Sequence, residues 1–319
     1  MKRWLIVMVL FALALSGCVE KGPNAEEIKT LAIKSADNLS AYSLQSSVNQ
    51  SLTLKGPGDA SATSSNVTHI MESFETAAYV DLAAYKIQVV GSTKSQVEVP
   101  GEAANITSSQ ATIYQIGNST YVKEDDGSWT HLLDPSPVET IWGAGTNNQV
   151  KALAESINQS SLEIVGSEKI DGQDCYKVRI ETGASELYDI YNIAFSVAIK
   201  LVEYPPLVPS LNSTELNESS KIEKLVWISK DNYLIRKYQN LMSFKMTPIL
   251  IGSLDPATGQ MQRFNQSIRL GETDVSIETV DRFFDFNQPM KIAPPEEALK
   301  APPRSPSPMP TATYSMRSA

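Results

Sequence analysis

The sequence predicts an α+β domain dominated by long antiparallel strands. Three observations point to it. From Ala41 to about Leu132, apolar and polar residues alternate with period two over long stretches, as in strands with one wet face. Runs rich in β-branched and aromatic residues are separated by tight-turn signals such as Gly117-Asn118 and Asp171-Gly172. Segments with helical spacing of apolar residues are few, and they lie at the start of the domain and between groups of strands.

The first element is not part of that domain. Lys2 and Arg3 precede an unbroken apolar run of twelve residues, Trp4 to Leu15. As a helix this run would cover roughly 18 Å, against the about 30 Å of a hydrocarbon core, so it reads as a signal-peptide core and not as a stable span. It ends in Leu15-Ser16-Gly17-Cys18, an order that resembles the lipobox of prokaryotic lipoproteins. That resemblance implies cleavage before Cys18 and a lipid on its thiol. Residues 1–17 are expected as signal peptide, 18–24 as tether, 25–298 as one domain, and the Pro/Ser/Thr-rich residues 299–319 as a disordered tail.

Within the domain, Asn24-Ala25-Glu26-Glu27 gives a helix start, and Ile28, Leu31, Ala32 and Leu39 continue it over about 25–39. Tyr42, Leu44, Val48, Leu52 and Leu54 mark the first strand, and Gly56-Pro57-Gly58-Asp59 a turn. Val67–Phe74 and Ala77–Val90 read as further strands, followed by hairpins around Gly117-Asn118 and Glu124–Ser128. Asp134-Pro135-Ser136-Pro137 stops the sheet, and a short helix follows around Val138, Ile141 and Trp142. The residues Val150, Leu153, Ala154 and Ile157 give an amphipathic helix. A hairpin pairs Leu162–Ile170 with Cys175–Glu181. A helix over 185–202 stops at Tyr204-Pro205-Pro206, and Val208–Ser220 reads as a polar loop. Lys221–Ser229 and Tyr233–Phe244 form a long hairpin. Gln262–Leu270, Val275–Val280 and Phe283–Phe286 are the last strands.

Composition excludes some partners. A hydrophobic content of 42% with 20% charged residues is ordinary for a globular chain. The net charge of −9 argues against nucleic acid and against a polybasic grip on anionic lipid. Of the two cysteines, only Cys175 remains once Cys18 carries lipid, so no intrachain disulfide is expected; Cys175 reads as a buried thiol. Nine Asn-x-Ser/Thr sequons, at Asn38, Asn49, Asn66, Asn105, Asn118, Asn158, Asn212, Asn217 and Asn265, suit a glycosylated, archaeal-type surface.

Catalytic and metal chemistry finds little support. His69 and His131 are the only histidines and read as strand-surface residues; no zinc, nucleophile-elbow or dinucleotide motif is present. Glu124-Asp125-Asp126-Gly127 is sufficient as a hairpin tip without calcium. Asp281 and Asp285 could serve glycoside hydrolysis only if placed across one cleft. No enzyme, cofactor or metal is expected.

Two segments carry a family resemblance. One is the hairpin Lys169-Ile170-Asp171-Gly172-Gln173-Asp174-Cys175-Tyr176-Lys177-Val178. The other is Phe284-Asp285-Phe286-Asn287-Gln288-Pro289-Met290-Lys291-Ile292, with its Pro-Pro-Glu-Glu-Ala exit at 294–298. With the lipobox and the element order, they resemble the LolA-like lipoprotein-carrier superfamily, including LppX- and LprG-type surface lipoproteins, over residues 25–298. The resemblance implies a strongly curved antiparallel sheet, an unclosed barrel with helices over its concave face, that carries a lipid or a lipidated partner. LolA itself is soluble, whereas this chain has an anchor signal, which argues against a shuttle crossing a compartment. The expected protein is lipid-anchored on the outer face of the cell membrane. Trp142, Phe195, Trp227, Met242 and Phe244 are the candidates for lining the hollow, and buried methylenes alone, at about 0.8 kcal/mol each, would supply affinity. The alternative is a structural or adhesive envelope module with a fully packed core.

Overall fold

The computed structural model describes residues 22–55, 67–143, 147–181, 185–201, 207–255, 258 and 260–304. The expected signal peptide, Cys18, most of the tether, the Gly56–Asp59 turn, Asn66, the Pro205-Pro206 helix stop and the tail from residue 305 lie outside the described residues.

Helix α1 (Ala25–Asp37) begins with a reciprocal cap. The Asn24 side chain accepts from Glu27 N at 3.0 Å, and Asn24 N donates to the Glu27 carboxylate at 2.8 Å. Both groups would otherwise be orphaned at a helix start. A meander follows: β1 (Ala41–Lys55), β2 (Val67–Asp81), β3 (Lys86–Glu98), β4 (Asn105–Ile116), β5 (Ser119–Lys123) and β6 (Trp129–Leu133). The strand expected over 77–90 is instead two strands. Between them the Asp81 carboxylate accepts from Ala84 N at 2.9 Å, and Tyr85 takes a positive φ of 56°. A side chain that caps its own turn outweighs the apolar run around it.

Helices α2 (Val138–Gly143) and α3 (Gln149–Asn158) precede the hairpin β7 (Leu162–Ile170) and β8 (Gln173–Ile180). Asp171 and Gly172 turn that hairpin at φ 49° and 81°, the left-handed pair of a two-residue loop. Helix α4 (Ser185–Leu201) leads to β9 (Leu207–Ser210) and α5 (Ser213–Ser219). These last two replace the expected polar loop. Asn212 caps α5 by accepting from Thr214 N at 3.0 Å, and Leu216 buries its inner face. Strands β10 (Lys221–Ser229), β11 (Ile235–Met246), β12 (Ile249–Leu254), β13 (Met261–Arg269) and β14 (Thr273–Phe284) complete the sheets; β12 lies beyond the expected strands, and β14 runs unbroken from Thr273 to Phe284 in place of the two strands Val275–Val280 and Phe283–Phe286. The chain closes with α6 (Glu296–Leu299) and β15 (Pro303–Arg304). Residues 299–304, expected as the start of the tail, therefore belong to the fold.

Among the described residues twelve strands form one sheet, in the order β15-β6-β5-β4-β3-β2-β1-β14-β11-β10-β8-β7, and β9, β12 and β13 form a second. Pairing in the large sheet is antiparallel except for β15 on β6. Its end strands β15 and β7 do not meet, so the sheet is a curved, unclosed barrel with helices over its concave face, the fold class expected. The second resemblance segment has a structural task here. Ser40 N and Oγ both donate to Asn287 Oδ1, at 2.8 and 2.9 Å, and Asn287 N donates to Ala41 O at 2.8 Å, tying the exit of β14 to the entry of β1.

Strand parity divides the sheet into two faces. Even residues of β1 and β2 and odd residues of β14 face the helices, as the burial of Tyr42, Leu44, Ala78, Val80 and Phe283 beneath α1 and α3 shows. At the far end of the same face, Leu52, Met242, Phe244, Met246 and Val275 pack with Ile190, Ala194, Val197 and Ala198 of α4 and Leu216 of α5. The concave face thus carries two separate apolar cores, one under each helical cover.

Candidate functional site

Between the two covers the sheet changes chemistry. Directly paired residues run across it as Thr76, Ser46, Asp281 and Tyr238, on β2, β1, β14 and β11. This row lies in the same phase as Leu44 and Phe283, yet it is polar. The next row is Phe74, Val48, Thr279 and Asn240, all half-buried. The first row, with Leu44, Thr279 and Phe283 beside it and Gln149, Ala152 and Leu153 of α3 opposite, lines a cleft of about 500 Å³. That volume lies in the range of small-molecule sites. The cleft is amphipathic, with Leu44, Leu153 and Phe283 as apolar walls and hydroxyls and one carboxyl as its polar strip.

Tyr42 sets the position of α3 over the cleft. Its hydroxyl donates to Asn147 O at 3.2 Å and accepts from Gln149 N at 3.1 Å, at the helix start. Burial pushes this hydroxyl up to about 12, against a smaller pull from Gln149 N. Asn148 caps the same helix by accepting from Lys151 N at 3.0 Å. Among the described residues, Asp281 is the only ionisable acid or base lining the cleft apart from the phenol of Tyr238. Burial raises its carboxyl above the usual carboxylate range, opposed by a hydrogen bond from Ser46. One row along, Asn240 Oδ1 is buried and without a hydrogen-bond partner.

The five expected hollow-lining residues are dispersed. Met242 and Phe244 are buried together in the core under α4, and Phe195 packs against that core while stacking on Tyr191 at 6.3 Å. Trp142 sits at the other end, where its Nε1 donates to Gly117 O at 2.8 Å and its ring meets Tyr85 at 5.5 Å. Trp227 lies on the opposite face of the sheet, since its neighbours Val226 and Ile228 take the helix side. There it packs with Ile170, Cys175 and Leu225, donates to Glu168 Oε2 at 2.9 Å, and lies under Lys237 Nζ at 4.2 Å and Lys177 Nζ at 5.1 Å. None of the five lines the cleft. Asp281, Ser46 and Thr76 line it instead; their signal in the sequence is an acid in phase with Phe283.

Other residues have plain structural surroundings. Asp285 accepts from Ser43 Oγ at 3.2 Å on the face away from Asp281, so the two acids do not flank one cleft. His131 is not a free surface residue. It lies between Ser119 Oγ at 3.1 Å and Ala301 O at 3.3 Å, and it stacks on Tyr121. His69 contacts Thr53 Oγ1 at 3.2 Å on an exposed strand. Among the described residues, no group of three or more His, Cys, Asp or Glu gathers as a metal site, and no helix is long and apolar enough to cross a membrane. Cys175 is buried, and burial raises its thiol. Asn38, Asn49, Asn105, Asn158, Asn212, Asn217 and Asn265 are exposed, whereas half-buried Asn118 donates through Nδ2 to Asp134 O at 3.0 Å.

No family model and no curated protein sequence matches the chain. Solved structures do. LprF from Mycobacterium bovis aligns over 86% of this chain and 99% of its own, at 13% identity and a TM-score of 0.36. The Mycobacterium tuberculosis lipoprotein LppX aligns over 84% and 98%, at 12% identity and a TM-score of 0.35. A DUF1329 family protein from Desulfovibrio piger aligns over 83% and 93%, at 9% identity and a TM-score of 0.20.

Proposed function

We propose that this chain is a lipid-anchored, non-catalytic surface lipoprotein that holds an amphiphilic ligand, a lipid or the acyl part of a lipidated partner, in the cleft between its two helical covers. The observation that carries this reading is the open middle of the concave face: about 500 Å³ walled by Leu44, Leu153 and Phe283 and lying beside half-buried Val48 and Phe74. A curved sheet whose two ends are filled and whose middle is not has space for methylenes, and each buried one contributes about 0.8 kcal/mol. Leu15-Ser16-Gly17-Cys18 supports a thioether anchor at Cys18, and the run of exposed sequons supports a glycosylated outer face of the cell membrane.

Two measurements test this reading. Labelled fatty acid should enter the wild-type chain and not a Cys18→Ser chain. Solvent extraction of the secreted Cys18→Ser protein should release an amphiphile near one equivalent. A protein that yields no lipid and takes up none would favour the alternative, an envelope module with a packed interior, for which the burial of Met242 and Phe244 beneath α4 speaks.

A further inference from the structure

We propose that the cleft selects amphiphiles whose head group donates hydrogen bonds and carries no negative charge, and that Asp281 is the residue that sets this preference. The inference rests on the cleft being an amphiphile site. It goes further by naming the chemistry of the head.

The polar strip offers one acceptor-only group, the Asp281 carboxylate, among groups that both donate and accept: the hydroxyls of Ser46, Thr76, Thr279 and Tyr238 and the Gln149 amide. Asp281 presents a carboxyl group in the middle of the row, with the Ser46 hydroxyl as its hydrogen-bond donor. Asn240 Oδ1, one row away on the strand beside it, is buried with no donor. A buried acceptor without a partner is costly, so a ligand that brings N–H or O–H groups here is stabilised by more than its apolar contacts. Thr76 and Thr279 add hydroxyls that can serve either role.

Charge points the same way. Among the described residues no Lys, Arg or His lines the cleft, so no cation there neutralises a phosphate or carboxylate head. An anionic head would instead meet Asp281, and like charges brought together in a partly desolvated site are strongly unfavourable. The apolar walls cannot discriminate between heads, because they read only the chain. Discrimination therefore falls to the one charged side chain in the row.

The test holds the chain constant and varies the head. The full chain carrying Cys18→Ser is titrated calorimetrically with dodecyl maltoside and with dodecyl phosphate, each below its micellar concentration, near pH 7.5. The maltoside should bind at least about tenfold tighter, because only the phosphate sets a like charge against Asp281. In Asp281→Asn the ratio should narrow to within about threefold, mainly through tighter phosphate binding; Asp281→Ser serves the same purpose if the Asn variant does not fold. Equal affinities in the wild type, or a preference for the phosphate, would overturn the head-group inference and leave the amphiphile site standing. An unchanged ratio in a folded Asp281 variant would remove Asp281 from the role. Binding of neither probe would overturn the amphiphile reading and this inference together.

Discussion

The packed ends and the open middle of the concave face are made from the same strands in the same phase. On β1, Leu44 and Leu52 are 4% and 3% exposed, while Ser46, between them and pointing the same way, is half-buried. On β14, Phe283 and Val275 are buried and Asp281 is not fully so. The difference is what lies above: α1 and α3 pack directly on one end and α4 and α5 on the other, whereas over the middle row α3 faces the sheet across a cleft. Polar residues at core-phase positions therefore mark where the cover stands off from the sheet.

Removing bulk from a packed end should have the largest effect. Phe244 is 2% exposed and sits among Ile190, Ala194 and Met242. Phe244→Ala should cost about 3–5 kcal/mol, the range for a large aromatic lost from a tight core, read as a fall in the urea midpoint. A loss below about 1 kcal/mol would show that this end is as loosely filled as the middle.

A reciprocal pair of near-isosteric swaps sharpens the contrast. Val80 and Thr76 lie on the same face of β2, four residues apart. Val80 is 3% exposed under α1 and α3. Val80→Thr buries a hydroxyl in apolar surroundings and should cost about 1–3 kcal/mol. Thr76→Val, at the cleft, should change stability by less than about 0.5 kcal/mol. Equal costs would mean that the two rows share one environment.

Much of this contrast was legible in the sequence and part of it was not. Period two identifies the face: Tyr42, Leu44, Leu52 and Leu54 alternate with polar residues, and they do point inward. Local chemistry likewise identifies the Asn24 cap and the Asp171-Gly172 turn. Cover is a different matter, because it depends on where helices distant in the chain come to lie. Size misled where phase would have served. Trp227 is large and apolar, but Val226 and Ile228 on either side of it take the helix face, which sends the indole outward. Asp281 carried the opposite signal, an acid in step with Ile277 and Phe283, and such a misfit marks a site more clearly than another aromatic residue.

The middle should also show itself in the pH dependence of stability. Burial holds the folded-state carboxyl of Asp281 above its unfolded value of about 3.9. Between those two values the folded chain binds the proton more tightly, so this group's contribution to stability falls as pH rises through the window and stays low above it. Asp281→Asn removes that slope, and near neutral pH the variant should be at least as stable as the wild type. Urea midpoints from pH 4 to 7 measure this, and a variant with an unchanged slope would place Asp281 in ordinary solvent.

The opposite face supplies the smallest effect and a control. Arg179 donates to Glu163 at 2.7 Å and lies 3.7 Å from Glu223, with all three side chains roughly half exposed. Pairs of this kind are worth about 0–1 kcal/mol, because water screens them and the long side chains lose freedom in pairing. Arg179→Ala should therefore lower stability by less than about 1 kcal/mol at low salt, and the difference should shrink further at 1 M salt, where charges are screened within about 3 Å. Arg179 belongs to β8, next to the strand that carries Trp227. A larger, salt-independent loss would show that the Arg179 stem packs on the Trp227 cluster, so that the convex face depends on apolar packing there as well as on ion pairs.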